Sequence, residues 1–345
     1  MPQKISTRSI LSLFGGILLF LLFPAAAAAG LQSGLQLCAT VLIPSLFPLS
    51  VLSGCLIRMG GADCFRGRTG AWLGRLFRCS GAGTAALCLG LLGGYPLGAM
   101  ILSELYQNGS LSRQQAAHAA ALCNHAGPAF LIGAVGAGVF QDARVGVELW
   151  LIQLLSLLLT ARLLPQAAAE AAPPGTPELP QPASFAAAFP ASLEASSLAM
   201  LRLCGTVGFF AAFHGVVSKL LPLSALPQLW QAGIYGSLEL SGGIALLGGT
   251  EREAAFVLAA FLCVWGGLCV HAQALQAFSA AGLGAESYLL GKLAQAILAG
   301  LLAMLWLAAR QLSLPSVAFW GFLLLGGILI GFFAKIHWKI KKTVV

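Results

Sequence analysis

QAAHAAALCNHAGPAFLIGAVGAGVF, residues 115–140, decides the fold. It carries no Asp, Glu, Lys or Arg and is longer than the about 20 residues that a helix needs to cross a bilayer. Yet Asn124, His125, Gly127 and Pro128 interrupt it at its middle. Backbone left unpaired in hydrocarbon costs several kcal/mol per group, so a broken helix survives there only against protein or a watery cavity. The stretch therefore reads as a transmembrane span broken on purpose.

The rest of the chain fits that solvent. Of 345 residues, 58% are hydrophobic and 9% charged, against about 25% charged in soluble domains, and the mean hydropathy is +0.88. A water-facing surface cannot be built from this composition. Ten candidate spans follow from apolar run length: 9–29, 31–57, 82–106, 115–140, 145–164, 193–221, 229–247, 254–281, 288–309 and 317–334. The expected fold is an all-α polytopic membrane protein of about 8–10 transmembrane or re-entrant helices. The first run, between Lys4/Arg8 and PAAAAAG, has the form of a signal peptide. Apolar character continues past it, which favours an uncleaved first helix over residues 1–30.

The net charge of +8 is no nucleic-acid footprint, because the basic residues form no single face. They gather at Lys4 and Arg8, at Arg58, Arg66, Arg68, Arg75 and Arg78, and at Lys335, Lys339, Lys341 and Lys342. That is the distribution of cytoplasmic anchors, and it predicts both termini on the cytoplasmic side. Arginines alternating with Phe65, Trp72, Leu73, Leu76 and Phe77 make 58–80 an amphipathic interfacial segment. Residues 165–190, Ala/Pro-rich and free of Lys and Arg, read as a linker on the opposite face. The nine cysteines, scattered in apolar runs without a C-x-x-C pair, predict no metal site and no disulfide framework.

The linker separates two related halves, 31–164 and 191–312, followed by a C-terminal helix and basic tail over 313–345. LQLCATV at 35–41 matches LRLCGTV at 201–207, and residues 112–128 can be laid on 250–267. Repeats of this kind build secondary transporters, with the substrate site where the repeats meet.

Four further interruptions accompany the one at Asn124. IPSLFP holds Pro44 and Pro48, GLLGGYPLGA holds Gly94, Tyr95, Pro96 and Gly98, GSLELSGG holds Glu239, Ser241, Gly242 and Gly243, and WGGLCVHAQ holds Gly266, Gly267, His271 and Gln273. Polar side chains beside each break point to a cavity. The substrate-binding candidates are Tyr95, Asn124, His125, Arg202, Ser241 and Gln273. Glu239 and His271 are the candidates for ion coupling, since an ionisable group deep in a span normally faces a pathway. Two roles stay open for Glu239: a proton carrier coupled to transport, or a fixed charge that pairs with Arg202 or another cation to hold a broken helix. Arg202 itself, near one end of its expected span, has the choice of snorkelling. No H-E-x-x-H, G-x-S-x-G, P-loop or dinucleotide fingerprint occurs. Neither enzyme activity nor a cofactor is expected; the expected partners are the bilayer and a small anionic solute, with no nucleic acid, an oligomer being compatible with both.

In order, IPSLFP, GYPLGA, N-x-x-GPAF-x-IGAVGAG-x-F, LEL-x-GGI and GGL-x-VHAQ resemble the sporulation integral membrane protein family YlbJ over about residues 31–298. The resemblance implies a nucleoside-recognition gate domain with re-entrant hairpins, which the breaks at Pro44/Pro48 and Gly242/Gly243 suit. It also implies export of dipicolinic acid from the mother cell across the outer forespore membrane. His125, Ser241 and Cys269 depart from the family pattern. A nucleoside-like solute, or a non-transporting scaffold of spore maturation, are the other readings.

Overall fold

A computed structural model describes residues 7–61, 68–164 and 183–311. The C-terminal helix expected over 317–334 and most of the linker lie outside the described residues, as do Lys4, Arg66 and the C-terminal lysines. Among the described residues every regular element is helical, and five helical stretches are long and apolar enough to cross a membrane: Pro24–Leu42, Ala143–Leu163, Phe185–Leu220, Arg252–Ala280 and Glu286–Gln311. The protein is an all-α polytopic membrane protein.

Helix α1 (Thr7–Leu22) stops sooner than the apolar run suggests. Phe23 precedes a proline, which disfavours the helical region, and it sits at φ −126°, ψ 53°. Pro24 then opens α2 (Pro24–Leu37), so the alanine run belongs to the second helix rather than to the first. A π-helical stretch, Cys38–Leu42, joins α2 to α3 (Ile43–Arg58) without a gap. The break and re-entrant turn expected at Pro44 and Pro48 is thus absent. Pro44 follows directly on the π-helical turn, and Pro48 is carried inside α3.

The remaining breaks are present, and they define two helical hairpins. In the first, α5 (Gly81–Gly93) turns at Gly94–Pro96 into α6 (Leu97–Gln107). In the second, α10 (Gln228–Leu238) turns at Glu239 into the short α11 (Leu240–Ala245). Glycine lets each pair of arms touch. A Cβ on Gly98 would overlap the Cys123 carbonyl and crowd the backbone of Gly90, and one on Gly243 would overlap the backbone of Gly236.

Each hairpin is followed by a broken span and then an unbroken one. After the first come α7 (Arg113–Ala120), an irregular passage through Asn124 and Gly127, a π-helical stretch Ala129–Val139, and α8 (Ala143–Leu163). After the second come α12 (Arg252–Trp265), left-handed glycines at Gly266 (φ 87°) and Gly267 (φ 74°), α13 (Gly267–Ala280), and α14 (Glu286–Gln311).

Side-chain contacts at the helix ends orient these units. One face carries the start of α8, the start of α12 and the end of α14: Arg252 pairs with Asp142 (3.8 Å), Arg310 with Glu148 (3.2 Å), and Gln311 Nε2 donates to Glu253 (3.3 Å). Both ends of the second hairpin lie together there, Gln228 Nε2 donating to the carbonyls of Leu246 and Gly248. The other face carries the end of α8 and the end of α13. Arg78 donates to the carbonyls of Arg162 and Leu164, and Gln107, at the end of the first hairpin, donates to that of Ala280. The two hairpins therefore enter from opposite faces.

Helix α9 (Phe185–Leu220) lies antiparallel along α2 and α3, with Gly30 and Gly34 set against Ala211 and Gly54 against Ser192. Cys38 and Cys204, which hold matching places in the two seven-residue segments, meet side by side. The linker corrects one expectation. Its flanks touch the basic segment, since Leu164 accepts from Arg78 and the N–H of Ala183 donates to the Arg58 carbonyl. It leaves and re-enters on the face of the arginine-rich segment, not opposite it; absence of Lys and Arg from a loop is weaker evidence than the parity of the spans around it. Within the basic segment, α4 (Arg68–Phe77) meets α5 at a bend of 85°.

Candidate functional site

The breaks converge between the halves. Gly94 of the first hairpin packs on the backbone of Gly127, and Gly267 on the carbonyls of Gly236 and Leu238. Tyr95 crosses from one half to the other, its buried hydroxyl donating to the Cys263 carbonyl. In an unbroken helix that carbonyl would take the N–H of Gly267, which lies beyond the break.

Three groups of predicted residues result. Glu239 is 2% exposed and caps α11: Oε1 accepts the N–H of Ser241 (3.0 Å) and Oε2 that of Gly242 (2.6 Å). Its carboxyl group sits at the N-terminal end of the half-helix, close to Cys38, Tyr235 and Cys269. Arg202 is not its partner among the described residues. The same chemistry recurs at the surface, where Glu251 caps α12 through the N–H groups of Glu253 (2.8 Å) and Ala254 (2.7 Å), bonds that hold its carboxyl below the usual carboxylate range.

The second group surrounds a cavity of about 160 Å³ lined by Pro96, Met100, Arg202, Gln273 and Gln276, among others. Arg202 lies midway along the 36-residue α9, not near an end, because that helix begins at Phe185, well before the apolar run does. Its guanidinium has no acceptor among the described residues. Gln273, 6% exposed, donates to Thr206 Oγ1 (3.1 Å) while its Oε1 is unpartnered. The N-terminus of α6 has no side-chain cap, Pro96 being its N-cap residue.

The third group is a buried polar network. Asn124 Nδ2 donates to Tyr288 Oη (3.1 Å), which lies 3.0 Å from His271 Nδ1. His125 Nδ1 lies 3.2 Å from Lys292 Nζ, Lys292 donates to Gln295 Oε1 (2.9 Å), and Gln295 reaches Ser156 (3.4 Å). Gln153 donates to the Ala126 carbonyl (3.0 Å) and so closes the irregular passage.

Sequence reasoning singled out Asn124, His125 and His271 here but missed Lys292, Tyr288, Gln295, Gln153 and Ser156. The signal was present. Lys292 is the lone charge between Glu286 and Arg310, and Tyr288, Lys292 and Gln295 fall at i, i+4 and i+7, one face of α14.

Among known proteins, the chain is similar to the sporulation integral membrane protein YlbJ of Bacillus subtilis (strain 168). Identity is 34% over 152 residues, which cover 43% of this chain and 36% of that protein. The match thus spans about a third of the relative's length. No family model matches the chain, and no solved structure matches it. The motif-based resemblance to YlbJ is upheld by this relative.

Proposed function

We propose that the protein carries a small organic anion across a membrane during sporulation, without catalysing a reaction. The observation that supports this most is Arg202: a guanidinium midway along a span, without a protein acceptor among the described residues, on a cavity that the uncapped N-terminus of α6 also reaches. Cation and helix dipole act together on a carboxylate, and an intramembrane charge is normally kept for transport. Inverted repeats meeting at broken helices supply the frame for alternating access. The similar protein of Bacillus subtilis is a sporulation membrane protein, and the motif resemblance implies dipicolinate as the cargo, moving from the mother cell across the outer forespore membrane. Its two carboxylates are ionised at neutral pH, so it crosses lipid poorly unaided.

The test is the dipicolinate content of spores from a strain lacking the gene, complemented with wild type or Arg202→Ala. Wild type should restore dipicolinate; Arg202→Ala should reach the membrane in normal amount yet carry the anion with at least a tenfold higher KM, the equivalent of about 1.4 kcal/mol. Full dipicolinate in the deletion strain would refute the cargo, and an unchanged KM would refute the site.

A further inference from the structure

The polar side chains that line the Arg202 cavity differ in exposure: Arg202 and Gln276 are exposed, whereas Gln273 is buried. Neighbours fix which way the Gln273 amide points. Thr206, one turn along α9 from Arg202, gives its hydroxyl proton to the Arg202 carbonyl (2.8 Å). Its Oγ1 can then only accept from the amide, which makes Nε2 the atom 3.1 Å away, with Cys269 Sγ also in reach (3.4 Å). Oε1, at the other end of the amide, has no partner. Buried acceptors are normally paired, so an unpaired one on a residue of the cavity wall marks what the occupant supplies.

The cavity therefore asks for two kinds of atom. The Arg202 guanidinium and the uncapped N-terminus of α6 attract a carboxylate. Gln273 Oε1 only accepts, so it repels a second carboxylate and takes an N–H or O–H. The groups around Gln273 leave that balance unchanged: Pro96 and Met100 from α6, Arg202 and Thr206 from α9, and Cys269 on its own helix. Glu239 and Tyr235 lie near Cys269, but the Glu239 carboxyl is taken up by the N–H groups of Ser241 and Gly242.

We infer that Gln273 determines specificity: together with Arg202 it selects an anion that carries a hydrogen-bond donor beside its carboxylate. Of a dicarboxylate it takes the singly protonated form, with the carboxylate on Arg202 and the acid O–H on Gln273 Oε1. The inference rests on the anion-carrier reading and deepens it. One proton then crosses with each molecule of cargo, on the cargo itself, and no side chain of the protein has to titrate for transport to respond to pH.

Two probes of equal charge test this in liposomes holding the purified full-length chain, in competition with radiolabelled pyridine-2,6-dicarboxylate. The monoamide of that acid keeps one carboxylate and offers an N–H; its monomethyl ester keeps one carboxylate and offers none. Wild type should bind the monoamide more tightly than the ester by roughly tenfold or more, because an analogue without the donor leaves the acceptor unpaired. The apparent KM of the dicarboxylate should rise about tenfold for each unit of pH above the carboxyl range. In Gln273→Met, which keeps the side-chain length, the two probes should bind alike. Equal binding of the probes by wild type would overturn the inference, as would a KM that ignores pH or an amide–ester difference that survives in Gln273→Met. If Gln273→Met does not fold, the wild-type ratio and pH profile decide alone. Should wild type bind none of the three anions, or Arg202→Ala bind all three as wild type does, the anion-carrier reading itself fails and takes the inference with it.

Discussion

The two hairpins share a plan and differ at the tip. Each folds back on a glycine contact, Gly90 against Gly98 in the first and Gly236 against Gly243 in the second. At the second tip Glu239 takes up the free N–H groups of α11. At the first, α6 begins after Pro96 with no side-chain cap, beside the cavity that holds Arg202. One returning helix is thus capped by a side chain of the protein, and its counterpart in the other half is not. The two hairpins share a backbone plan and differ in how their tips are finished.

That contrast is open to attack on three levels. The largest effect is all-or-none. Tags inserted at Gly109 and Gly249, the loops that follow the two hairpins, should be reached from opposite faces, with a tag at Pro174 on the side of Gly109. Access to Gly109 and Gly249 from one side would remove the inversion.

Next come the arm contacts. Gly98→Ala and Gly243→Ala each push a methyl into backbone that has no room to retreat, so both should cost at least the about 3 kcal/mol at the upper end of overpacking. Membrane abundance measured by quantitative blotting should fall severalfold, since 1–2 kcal/mol already changes it on the order of that much. Equal abundance of either variant would mean the hairpin arms are not in contact.

The smallest effect separates the tips. Glu239→Gln keeps shape and one good acceptor but loses the charge on the half-helix, which should cost on the order of 1 kcal/mol. Thermal unfolding would show this as a lowered midpoint, while transport keeps its pH response. Loss of that response with an unchanged midpoint would return Glu239 to the proton-carrying role.

Much of this plan was legible in the residues, for a definite reason. Gly and Pro beside polar side chains inside an apolar run are costly in lipid unless the helix opens against protein or water. At Gly94–Gly98, Asn124–Pro128, Glu239–Gly243 and Gly266–Gly267 the helix does break. Pro44 and Pro48 misled because a π-helical turn absorbs the lost hydrogen bonds without a change of path, and nothing local in IPSLFP announces that. The side of the linker depends on how many times the chain crosses beforehand, and an apolar run from 82 to 106 cannot say whether it crosses or returns. Lys292 escapes notice for the opposite reason: one lysine in the apolar run between Glu286 and Arg310 resembles noise, though its cost in lipid makes it informative. Arg202 changed place because α9 extends back to Phe185, into residues whose alanine and proline content reads as linker.

The meeting of Cys38 with Cys204 has a meaning of its own. Residues that hold equivalent places in two copies can touch each other only where a two-fold axis passes between them. The seam of α2 and α9 therefore has the form of an isologous dimer interface, the surface that one half-length chain would present to another copy inserted upside down. Along this seam, the protein still packs against itself as two molecules would.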